Sequence, residues 1–68
     1  MAIEEAEKVL KDFPKNVKAW IILGNAHLYK KDFSKAKKAF EEVVRLAPGT
    51  DNAKLAQQYL EFLKKSGK

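Results

Sequence analysis

The sequence predicts an all-α fold of about four helices packed as antiparallel hairpins, and three observations carry that expectation. Apolar residues recur at spacings of three and four along successive stretches. Those stretches are separated only by Pro14, by "KKDFS" and by "PGT", connections short enough to force consecutive helices to lie antiparallel. Two prolines and three glycines in 68 residues leave too few turn formers for an all-β chain. A chain of this length is one domain, residues 1–68, and buries only about 60% of its unfolded surface, so its core must be thin.

The first helix is expected over residues 2 to 13, where Ala2, Ile3, Ala6, Val9, Leu10 and Phe13 make one apolar stripe. Pro14 ends it. Asn16 is placed to cap a second helix, residues 17 to 30, by accepting a free amide of the first turn. That helix carries apolar side chains almost all the way round, the mark of a helix with neighbours on several sides. "KKDFS" interrupts the pattern, with Asp32 or Ser34 as cap and Phe33 as a staple onto the third helix, residues 34 to 47. "PGT" ends the third helix, since proline cannot continue it and glycine accepts a left-handed backbone. A fourth helix is expected over residues 51 to 65, closing at Gly67, with Ser66 as a further helix-end cap.

Composition narrows the function. Hydrophobic residues make up 46% and charged residues 34%, the balance of a folded helical chain and not of a disordered one. Fourteen Lys and Arg against nine acids give +5, a field that favours anionic partners. There is no cysteine, so disulfides and thiolate metal sites are excluded. His27 is the single histidine, which leaves a metal site or a histidine-based nucleophile relay without its other members; burial between the second and third helices is its expected role. No enzyme, metal or cofactor is implied. No apolar run approaches the roughly 18 to 20 residues that span a bilayer, and "MAIEEAEK" is acidic where a signal peptide would be basic. The expectation is a soluble, cytoplasmic chain without membrane insertion.

A shift of 34 residues lays Ala2, Glu7, Val9, Pro14 and Ala19 onto Ala36, Glu41, Val43, Pro48 and Ala53. With that period comes a pattern: Trp20, Leu23, Gly24, Ala36, Phe40 and Pro48 stand at the spacings of W-x2-L-G-x2-Y, A-x3-F and P, with His27 at the tyrosine place. In this spacing Gly24 lets the third helix approach the second, while Trp20 and Phe40 fill the space beside the close crossing. The chain resembles the tetratricopeptide repeat family. The resemblance implies one full repeat over residues 17–50, flanked by a half repeat over 2–14 and a helix over 51–65. In that last helix Lys54, Gln57, Gln58 and Glu61 stand where a following helix would pack, so it reads as a solubilising cap.

The resemblance also implies a protein-binding scaffold whose first helices line a concave groove. The groove positions are then Lys18, Ile21, Asn25, Leu28 and Tyr29 on the second helix, and Asn52, Leu55, Tyr59, Phe62 and Leu63 on the fourth. For Leu55, Tyr59 and Phe62 two roles are open, a partner-binding stripe or part of the thin core. Some members of the family grip a terminal carboxylate; Asn25 matches that pattern, but Ile21 and Ala56 depart from it. The expected partner is a protein or peptide segment. A second expectation is homodimerisation through the open edge of the first helix, at Ile3, Leu10 and Phe13, unless preceding repeats cover that edge. Lys30, Lys31, Lys35, Lys37 and Lys38 surround the turn between the second and third helices. Pairs at i, i+4 such as Lys37–Glu41, Lys38–Glu42, Glu4–Lys8 and Glu7–Lys11 are expected to neutralise part of this charge, and without base-stacking aromatics the cluster argues against nucleic acid as the partner.

Overall fold

The computed structural model describes residues 2–67. Four helices follow one another, α1 (Ala2–Asp12), α2 (Val17–Tyr29), α3 (Phe33–Leu46) and α4 (Asp51–Gly67), and no strand occurs among the described residues. The helix ends differ from the sequence expectation by one or two residues, as fraying ends do. Phe13, for example, lies just past α1, yet its N–H still donates to the Val9 carbonyl at 2.7 Å. Each helix packs mainly on its neighbours in sequence, α1 on α2, α2 on α3 and α3 on α4, within a Cα envelope of 33 × 28 × 13 Å. That thin slab has two open faces and two open edges.

The helix ends show where the backbone polar groups go. Asn16 Oδ1 accepts from the Ala19 N–H at 3.1 Å and caps α2. Asp32, not Ser34, caps α3, its Oδ1 accepting from the Lys35 N–H at 3.5 Å; Ser34 lies inside the first turn, past the point where a cap can act. Thr50, which the sequence reading did not select, caps α4: its Oγ accepts from Ala53 N–H at 3.2 Å and donates to the Ala47 carbonyl at 2.6 Å. The side chain of Ser66 lies outside the described residues. Gly49 takes φ 81°, as a left-handed helix stop requires. The end of α2 is less expected. Asp32 N–H donates to the His27 carbonyl at 2.8 Å and Lys31 N–H to the Leu28 carbonyl at 3.0 Å, the paired bonds of a Schellman motif, with Lys31 at φ 64° in the place glycine usually takes.

Two apolar clusters hold the slab together. One joins Ala36, Phe40 and Val43 of α3 to Ala56 and Leu63 of α4, with Ile21, Leu28, Phe33 and Tyr59 packed around them. The other joins Ala6 of α1, Ala19 and Leu23 of α2 and Ala39 of α3, with Ile3 and Leu10 against it. Trp20 packs on both clusters, and its indole N–H donates to the Pro14 carbonyl at 2.9 Å. Gly24 is a point of close approach between α2 and α3: a Cβ there would come within 2.6 to 2.9 Å of three Phe40 ring carbons. His27 is half-buried.

The ion pairs differ from the expected ones. Among the described residues they are Asp32–Lys35, at 3.9 Å, and Glu42–Arg45, whose guanidinium Nε donates to the carboxylate at 3.1 Å. The four i, i+4 pairs expected from sequence are not formed. Glu42 turns to Arg45 because the planar guanidinium offers two donors at once, whereas an exposed lysine gains little from being held.

Candidate partner-binding face

On α2, Lys18, Ile22, Asn25 and Tyr29 are all exposed. Their spacing of four, three and four places them on one face of the helix. Tyr29 is 92% exposed and Ile22 41%. Three of these four residues belong to the expected groove set. The other two members of that set on α2, Ile21 and Leu28, turn instead toward α3 and α4, where they are half-buried against the Phe40 cluster. Ile22 takes the open position that the sequence reading gave to Ile21. Counting three and four from Lys18 and Asn25 finds it, but the apolar surface of α2 on every side hides which of two adjacent isoleucines faces outward.

On α4 the two apolar stripes expected from sequence separate. Ala53, Ala56 and Leu63 are buried, so Leu63 belongs to the core and not to the groove. Leu55 and Phe62 are exposed at 42% and 53%, and Asn52 is exposed at the start of the helix. Tyr59 stands between the stripes. Its ring stacks on Phe40 with centroids 4.7 Å apart and planes 14° from parallel, and it is half-buried. Exposed apolar side chains thus stand on α4, and a mixed stripe of cation, isoleucine, amide and tyrosine stands on α2.

The two edges of the slab contrast. Between α1 and α2 runs a groove of about 270 Å³, with Ala6 and Ala19 among its lining, Val9 and Ile22 beside them, and Glu5 and Lys18 on its banks. Phe13, 65% exposed, stands at the end of this groove, next to Asn16, which lines it. Of the expected edge residues only Phe13 is open; Ile3 and Leu10 are half-buried against Ala6, Ala19, Leu23 and Ala39. At the opposite edge Lys54, Gln57, Gln58 and Glu61 are all exposed.

The described residues hold no group of three or more His, Cys, Asp or Glu side chains placed to bind a metal ion, and no helix among them is long and apolar enough to cross a membrane. The tetratricopeptide repeat family model matches residues 17–50, the helical hairpin closed by Gly24 and Phe40. The chain belongs to the tetratricopeptide repeat family. Comparison with curated proteins and with solved structures gave no match. Tetratricopeptide repeats generally act as non-catalytic scaffolds that mediate protein–protein interaction, and the four-helix, strand-free architecture described above is that of their helical hairpins. The match covers the hairpin of α2 and α3, so α2 is the first helix of the matched repeat.

Proposed function

We propose that this tetratricopeptide repeat chain binds a segment of a protein partner along the open face shared by α2 and α4. The observation that supports this reading is the exposure of the large side chains Tyr29 on α2 and Leu55 and Phe62 on α4. A monomer gains nothing by holding large apolar side chains in water, and such patches mark interaction sites. Fully burying a side chain of this size is worth about 1.5 to 3 kcal/mol, and a residue half exposed keeps about half of that in reserve. Asn25 offers both a donor and an acceptor to a peptide main chain, and Lys18 suits a carboxylate at the segment's edge. The occupant is thus a short segment with two or three apolar side chains on one face and an acidic residue near one end.

The test is selection of peptides from a random displayed library against the full chain, followed by titration of a selected peptide. Phe62→Asp and Leu55→Asp should each weaken binding by at least about tenfold, with helicity by circular dichroism unchanged. Lys54→Glu, on the outer edge of α4, should leave affinity as it is. Peptides that bind equally well to both aspartate variants would overturn the reading.

A further inference from the structure

We infer that the α1–α2 groove is a self-association site, at which a second copy of this chain docks by a two-fold operation that inserts its Phe13 over Ala6 and Ala19. The inference does not rest on the peptide reading: Lys18 and Ile22 border both surfaces, but Phe13, Ala6 and Val9 belong to this groove alone and Leu55 and Phe62 to the peptide reading alone.

Self-complementarity needs a knob and a hole on the same surface, because in a two-fold interface the same patch serves both copies. Both are present. The knob is Phe13, 65% exposed at the end of α1. The hole is the groove of about 270 Å³ lined by Ala6 and Ala19. Its origin is visible in the repeat. Ala6 occupies, one 34-residue period earlier, the place of Phe40, whose ring fills the corresponding α3–α4 contact against Ala56 and Tyr59. Without such a ring the groove stays open, and a side chain of aromatic size from outside can fill it.

Charge makes the same demand and finds it met. Glu5 and Lys18 stand on opposite banks of the groove, and Lys15 stands beside Phe13. When two α1 helices cross antiparallel with Phe13 of each over Ala6 of the other, the crossing centres between residues 9 and 10. Val9, itself exposed, then faces Leu10 of the second copy, one residue from its own symmetry mate, and Glu5 falls opposite Pro14, one residue from Lys15. Unlike charges on a self-complementary patch attract under a two-fold, where a patch of one sign would repel. The other edge offers no such surface. Lys54, Gln57, Gln58 and Glu61 leave α4 polar on the outside, so head-to-tail growth is disfavoured and association stops at two copies.

Sedimentation equilibrium of the full chain from micromolar to millimolar concentration tests this, with no peptide added. The expected result is a monomer–dimer equilibrium with no larger species. Phe13→Glu should raise the dimer dissociation constant by at least about tenfold, and because Phe13 is so exposed the variant should keep wild-type helicity. Phe62→Glu should leave the constant unchanged. Val9→Cys, in a chain that has no other cysteine, should form a disulfide-linked dimer under mild oxidation far faster than Lys54→Cys. A monomer throughout the range, species growing beyond the dimer, a dimer indifferent to Phe13→Glu, or equal cross-linking of the two cysteine variants would each overturn the assignment. Loss of the dimer leaves the peptide titration intact, so the two readings fail separately.

Discussion

Phe40 lies against the backbone of Gly24 so closely that a Cβ at residue 24 would stand 2.6 Å from its Cζ. The ring cannot retreat, because it is 1% exposed and Tyr59 stacks on it at 4.7 Å. Two effects oppose each other when Gly24 becomes alanine. Removing glycine from a helix interior stabilises by about 0.5 to 1 kcal/mol, while forcing a methyl into a packed site costs about 1 to 3 kcal/mol. The clash wins. Gly24→Ala should lower stability in urea unfolding by about 1 to 2 kcal/mol, and Phe40→Leu should couple to it non-additively, since the two residues touch.

Lys31 has the opposite balance. Its φ of 64° costs a residue with a Cβ about 1 to 2 kcal/mol relative to glycine, partly offset by the greater freedom glycine has in the unfolded chain. Lys31→Gly should therefore stabilise by about 0.5 to 1 kcal/mol and raise the midpoint of thermal unfolding by roughly 4 °C. A lowered midpoint would show that the lysine contributes more to the folded state than its backbone costs.

The two hydroxyl residues near helix starts should behave differently. Thr50 caps α4 through Ala53 and also bonds the Ala47 carbonyl, so Thr50→Ala should cost about 1 kcal/mol. Ser34 is exposed within the first turn of α3, and Ser34→Ala should stay within about 0.5 kcal/mol of wild type. Chemical denaturation of the two variants side by side decides the matter.

Tyr59 and Phe62 are three residues apart on α4, yet one serves the core and the other faces water. Tyr59→Ala should destabilise by about 2 kcal/mol through lost burial and lost stacking on Phe40. Phe62→Ala should change stability by less than about 1 kcal/mol, with its main effect on binding. Equal losses in both would mean that Phe62 is covered in solution.

Much of this fold is legible in the sequence because spacing alone states it. Gly24 and Phe40 sit at family spacing, and the close approach follows from their sizes. Asn16 and Asp32 precede helical stretches and cap them. Rotation about a helix axis is harder to read. On α2 both Ile21 and Ile22 are apolar, and which one faces outward depends on α1, α3 and α4 together, none of which the local sequence describes. Tyr59 resists for a related reason, being apolar enough to stack on Phe40 and polar enough to stand at a groove. Thr50 was hidden behind Pro48 and Gly49, which announce the end of one helix more loudly than the start of the next.

Trp20 is the one tryptophan of the chain, and it packs on both apolar clusters while its indole is tethered to the Pro14 carbonyl. The molecule therefore carries an intrinsic optical probe at its seam. Loosening of α1 alone would break the tether and expose one side of the indole; loosening of α4 would leave the tether and disturb the other. A single emission spectrum, followed through denaturant, can thus distinguish unfolding that starts at one end of the slab from unfolding that takes the whole slab at once.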